Sequence, residues 1–89
     1  MNTFKLTVST PDGDRFKGEA EALFVRGSEG DLAVLADHAP LVTAVKECRC
    51  RIITEDDETE ADIKGGLLSV SAGGNTVLLT TSFEIKTDK

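Results

Sequence analysis

Along most of this chain apolar and polar residues alternate with a period of two, the pattern of strands that bury one face. Phe4, Leu6 and Val8 alternate with Lys5, Thr7 and Ser9. Pro11-Asp12-Gly13-Asp14 reads as a turn, with Pro presetting φ and Gly supplying a left-handed position, and Arg15 to Lys17 as a second strand. Glu19 to Arg26 begins in alternation and becomes continuously apolar at Leu23-Phe24-Val25, as a strand entering a core does. Gly27 to Gly30 interrupts the pattern as a loop. Leu32 to Leu35 is a short apolar strand, Asp37 to Pro40 a second loop, and Leu41 to Val45 a further strand. Glu47 to Thr54 alternates again with Arg49 and Arg51 outward, and Glu60 to Lys64 returns from a hairpin tip. Gly65-Gly66 marks a tight turn or bulge. Leu67 to Ser71 and Thr76 to Thr80 flank Gly73-Gly74-Asn75, a hairpin signal. Thr81 to Lys89 reads as a weakly ordered tail, which divides the chain into a domain over 1–82 and a tail over 83–89.

That makes some eight to ten short strands, and no segment keeps a helical period over about ten residues. Many short strands with Gly-rich turns predict an all-β sandwich or barrel. The length of 89 residues suits one small domain. With 39% hydrophobic residues, a buried core is expected. No apolar run approaches the ~20 residues of a membrane-spanning helix, and Met1-Asn2-Thr3-Phe4-Lys5 lacks the layout of a signal peptide. Membrane association is therefore expected only through a partner.

Charge adds one feature. The net charge is −6, and Glu55, Asp56, Asp57, Glu58, Glu60 and Asp62 supply six acids with no Lys or Arg between them. Outside that segment ten acids face ten bases. The segment is expected to be a solvated hairpin tip. It lacks the alternating ligands and internal Gly of an EF-hand calcium loop. With no Lys/Arg cluster and neither Tyr nor Trp, nucleic-acid binding and sugar stacking are both disfavoured.

Candidate chemistry is sparse. Cys48 and Cys50 sit two apart, so on a strand both thiols point to one face. Parallel side chains are poorly placed for a mutual disulfide, and a zinc site would need more ligands than His38 alone can add. Two buried strand thiols are expected. His38 is the single histidine, and its neighbour Asp37 would not face it on a strand. The glycines match no phosphate loop. Exposed carboxylates have nothing to raise a pKa for acid catalysis. The residues themselves describe a non-catalytic β-sandwich with no cofactor and an unknown partner.

The stretch Gly27-Ser28-Glu29-Gly30-Asp31-Leu32-Ala33-Val34-Leu35-Ala36-Asp37-His38-Ala39-Pro40-Leu41-Val42-Thr43 resembles the signature of the epsilon subunit family of F-type ATP synthases. Lys64-Gly65-Gly66-Leu67-Leu68-Ser69-Val70 is similar to that family's Gly-Gly strand, and Phe4 to Ser9 sits where its opening strand does. The resemblance implies a ten-stranded antiparallel β-sandwich, two packed sheets in a jelly-roll-like arrangement, at the foot of the rotor's central stalk. It implies a non-catalytic subunit that binds the gamma subunit and the membrane ring of c subunits, coupling ion flow to ATP synthesis at the cytoplasmic face of a bacterial membrane. By position, Glu29, Gly30, Asp31 and Leu32 would face the c ring, and His38, Ala39, Pro40, Leu41, Val42 and Thr43 would face gamma. Leu41 and Val42 could equally be core, one pointing each way. Members usually continue into a C-terminal helical hairpin. This sequence stops at Lys89, so inhibition by that hairpin and ATP sensing are not carried over. Cys48 and Cys50 fall outside the family pattern. The alternative is an unrelated β-sandwich protein-interaction module.

Overall fold

The computed structural model describes residues 2–86. Its ten strands are β1 (Phe4–Thr10), β2 (Gly13–Ala20), β3 (Ala22–Gly27), β4 (Gly30–Leu35), β5 (Leu41–Val45), β6 (Cys48–Ile53), β7 (Glu58–Ile63), β8 (Gly66–Val70), β9 (Thr76–Thr80) and β10 (Phe83–Ile85). Nine lie on one hydrogen-bonded path, β10-β7-β6-β3-β5-β8-β9-β1-β2, and β4 pairs with β3 beside it.

The path is thinnest between β3 and β5, where Gly27 and Val45 are the one residue pair. Two bonds flank it: the Ser28 N–H donates to the Ala44 carbonyl at 3.1 Å, and the Lys46 N–H donates to the Arg26 carbonyl at 2.8 Å. At this seam the sheet folds over on itself. One half is β10-β7-β6-β3-β4, the other β5-β8-β9-β1-β2. Leu23, Val34, Ile52 and Ile63 from the first half and Leu6, Val8, Leu68 and Leu78 from the second meet in a single core. This is the sandwich that the alternation predicts, with one face of each strand turned inward.

Local chemistry explains the ends of several strands. Ser28 and Glu29 form a two-residue turn closed by the pair Gly27 and Gly30. Gly30 takes a φ of +128°, a conformation that strains any side chain. Gly66 has a different reason. A Cβ there would lie 1.8 Å from the Leu79 carbonyl oxygen, so only glycine lets β8 approach β9 this closely. The Gly-Gly signal thus marks a close strand approach.

Four expectations change. First, β1 runs parallel to β9, with Leu6 opposite Thr76 and Ser9 opposite Leu79, while every other pairing is antiparallel. The partner of an N-terminal strand lies far off in sequence, and alternation carries no direction. Second, the tail is not wholly loose: Phe83–Ile85 pairs with β7 as a tenth strand, and Phe83 packs against the core. The last three residues of that tail, 87–89, lie outside the described residues.

Third, only Glu55, Asp56 and Asp57 occupy the hairpin tip, whereas Glu58, Glu60 and Asp62 stand on β7. Fourth, Cys50 is fully buried but Cys48 only half-buried, and both are free thiols. The Cys48 Sγ accepts from the Arg26 N–H at 3.4 Å. Burial, with Cys48 beside it, pushes the Cys50 thiol up to about 11.

Candidate functional site

The two segments singled out by sequence lie at opposite ends of the sandwich. Gly30 starts β4 beside Gly27, and Gly27 pairs with Val45 at the end of β5. Leu41 is four residues back along β5, about 13 Å at the usual strand rise. His38, Ala39 and Pro40 lead into that far end.

At the first end, Glu29, Gly30 and Asp31 are exposed. The Arg26 Nε donates to the Asp31 carboxylate at 3.2 Å, straight across the hairpin where the two residues are paired. Leu32 departs from expectation: it packs against the core. On a strand it must face opposite to Asp31, so it cannot share that outward surface.

At the second end, the His38 N–H donates to the Leu35 carbonyl at 3.2 Å and closes a turn. Asp37 within it has a φ of +70°, a left-handed conformation that aspartate tolerates better than most residues. His38 is half-buried with its Nδ1 2.6 Å from the Ala39 carbonyl oxygen, while Ala39 and Pro40 are exposed. The alternative left open for Leu41 and Val42 resolves into one each way. Leu41 packs on the core, and Val42 points out, 66% exposed. Thr43 is half-buried on Leu41's side of the strand.

Val42 is not alone. Ala44 on the same face pairs with Leu67 of β8, and Leu67 pairs with Leu79 of β9. Leu67 is 43% and Leu79 48% exposed, and Val77 faces the same way. Leu67 and Leu79 continue into an open groove with Thr10, Pro11 and Gly66. The outer face of β5-β8-β9 is therefore a largely apolar strip in water, interrupted by Ser69 between Val42 and Val77, a feature that marks interaction surfaces. Sequence reasoning reached Val42 and missed Leu67 and Leu79. The available signal was the doublets Leu67-Leu68 and Leu78-Leu79: on a strand, one leucine of each must face outward.

The outer face of β6 and β7 is the reverse. Arg51 Nε meets the Glu58 carboxylate at 2.7 Å, Arg49 Nε meets Asp62 at 3.0 Å, and Lys86 reaches Asp62 at 4.0 Å. The Arg51 guanidinium also lies 5.1 Å from the centre of the Phe24 ring. Glu58 beside it raises the pKa of Arg51 above its ordinary value. This face meets its electrostatic needs within the chain.

A profile of the family described as the ATP synthase delta/epsilon chain beta-sandwich domain matches residues 3–85. The chain belongs to the ATP synthase delta/epsilon beta-sandwich family. The ATP synthase epsilon chain of Rhodopseudomonas palustris (strain BisA53) is 37% identical over 78 residues, covering 88% of this chain and 58% of that protein. The chain thus spans little more than half the length of this curated relative.

Two solved structures share the delta/epsilon sandwich fold. One is from the mitochondrial ATP synthase of Euglena gracilis, solved as its OSCP/F1/c-ring assembly. It superposes with a TM-score of 0.88 at 22% identity, over 97% of this chain and 56% of the other. The second, from the central stalk and c ring of the Tetrahymena thermophila mitochondrial ATP synthase, has a TM-score of 0.78 at 12% identity, over 89% and 63%.

Proposed function

We propose that this chain is a non-catalytic rotor subunit of an F-type ATP synthase, an adaptor that binds gamma and the c ring and so couples ion flow to ATP synthesis. The observation that carries this reading is the apolar strip of Val42, Ala44, Leu67 and Leu79 on a sandwich of the delta/epsilon family. An adaptor needs a durable grip on one partner, and apolar burial at the centre of an interface supplies it. Gamma would cover this strip and the Ala39-Pro40 turn that leads into it. The Ser28-Glu29 end, polar and projecting, would meet the c ring. A contact between polar loops suits that place, since exposed carboxylates pair with basic and amide groups without demanding a dry interface.

Torque transmission asks only that both contacts sit on one rigid body. A sandwich with a single core meets that demand. The protein would then lie at a membrane through its partners, at the cytoplasmic face in a bacterium. The domain over 1–82 together with β10 would be the adaptor body.

Co-purification tests this reading. Tagged at its C-terminus and recovered from its own cells, the chain is expected to bring down gamma and c subunits. Recovery of neither overturns it.

A further inference from the structure

Asp12 is the one aspartate of this chain that precedes a glycine. A peptide nitrogen that belongs to glycine has no Cβ to shield it from the side chain before it. Asp14, Asp31, Asp37 and Asp62 are followed by Arg15, Leu32, His38 and Ile63, which do shield theirs. Other aspartate carboxylates are also held. Asp14 accepts from the Ser9 hydroxyl at 2.6 Å, Asp57 from the Glu58 N–H at 2.7 Å and Asp62 from the Arg49 Nε at 3.0 Å. The Asp12 side chain is 84% exposed, and a loose ion pair with Arg15 at 3.6 Å is what engages it among the described residues. Nothing stands within 4 Å of where a Cβ on Gly13 would be. The turn lies at the tip of the β1-β2 hairpin, and β2 is an edge strand. The Thr10 hydroxyl donates to the Gly13 carbonyl at 3.1 Å and accepts from the Asp12 N–H at 3.3 Å. Solvent-exposed bonds at such a tip open locally.

We propose that Asp12 is a modification site, at which the β1-β2 turn converts spontaneously to an isoaspartyl linkage and loosens one wall of the neighbouring groove. The Gly13 nitrogen attacks the Asp12 Cγ, its proton and the carboxyl hydroxyl leave as water, and a succinimide ring closes. Water then adds to one of the two ring carbonyls. Opening at the main-chain carbonyl breaks its bond to the Gly13 nitrogen. The backbone then runs through the side chain, one methylene longer, and the main-chain carboxylate hangs free. Water is the only co-reactant. The change has a consequence because of where it falls. Thr10 and Pro11 line the apolar groove together with Leu67 and Leu79. A lengthened turn gives up the two Thr10 bonds and shifts that wall. The effect on binding rests on the reading of the strip as gamma-facing, whereas the modification itself does not.

The test keeps the folded chain at physiological temperature and pH for weeks. Isoaspartyl residues are then read with purified isoaspartyl O-methyltransferase and a radiolabelled methyl donor, and the labelled peptide is mapped by mass spectrometry. Label is expected to grow with time in the folded chain and to map to the peptide that contains Asp12. Asp12→Glu, which would have to close a larger and slower ring, should stay near its starting level. Label that appears only in urea would show that the folded turn is locked and would overturn the inference. Equal label in Asp12→Glu would overturn it too. The aged chain is then titrated with purified gamma and should bind about five-fold more weakly than fresh chain, while aged Asp12→Glu keeps the affinity of its fresh form. Labelled chain that binds gamma as fresh chain does would overturn the effect on the groove. Fresh chain that does not bind gamma would instead overturn the gamma-facing reading.

Discussion

The outer faces of β6-β7 and of β5-β8-β9 are built on the same alternating pattern and come out opposite. On β6 and β7 the outward residues are Arg49, Arg51, Glu58, Glu60 and Asp62, and they pair across the strands. On β5, β8 and β9 they are Val42, Ala44, Leu67, Ser69, Val77 and Leu79, apolar except for Ser69, and Val42, Ala44, Leu67 and Leu79 lie exposed in the described chain. Both faces surround one core. The first is complete as it stands, because every large charge has an opposite neighbour. The second is complete only when something else removes it from water. The place where a small domain leaves its physics unfinished is where its partner is expected.

The sharpest contrast lies within one leucine doublet. Leu68→Ala should cost about 3 kcal/mol of stability, since Leu68 is fully buried and leaves a cavity. Leu67→Ala should cost within about 0.5 kcal/mol, as outward substitutions do. Urea unfolding of both variants measures the difference, and equal losses would mean that the strip is part of the core.

Next in size is binding. Leu79→Asp should weaken association with gamma about 30-fold, equivalent to about 2 kcal/mol at a buried apolar contact, with the unfolding midpoint little changed. Glu58→Gln on the opposite face should leave gamma binding within two-fold. Isothermal titration with purified gamma reads both, and reversal of the two would assign the interface to the charged face.

A smaller effect belongs to the charged face itself. Arg51→Gln removes the Glu58 pair and the contact with Phe24. A slight loss of thermal stability is expected at low salt and a smaller one at high salt, because exposed ion pairs are screened.

The smallest at neutral pH concerns Cys50. Its thiol is raised from 9.0 to about 11 by burial. The unfolded chain therefore loses the proton first, and stability should fall as pH rises from about 9 towards about 11. Cys50→Ala should flatten that part of a pH–stability curve, and an unchanged slope would contradict the burial argument.

How much of this was legible depended on whether the signal was local. β5 and β9 have the bounds that their alternation predicts, because both bury one side of every pair. β2 came out longer than Arg15 to Lys17, since it is an edge strand on which only Ala20 is buried and no alternation exists to read. β10 is three residues long, too short for a period, and Phe83 was the one hint of it. The charged ladder was half visible: Arg49 and Arg51 share a parity, as do Glu58, Glu60 and Asp62, but only the register of β6 on β7 puts them together. The candidate site divides in the same way. The motif located both ends and Val42, while Leu67 and Leu79 join Val42 through pairings that no single segment encodes.

Backbone amide NMR of the labelled chain, titrated with unlabelled gamma, tests the central claim most directly. The account predicts that the largest shifts fall on Val42, Ala44, Leu67 and Leu79, with Arg49, Arg51, Glu58 and Asp62 nearly still. Shifts concentrated on those charged residues, with the apolar strip unmoved, would contradict it.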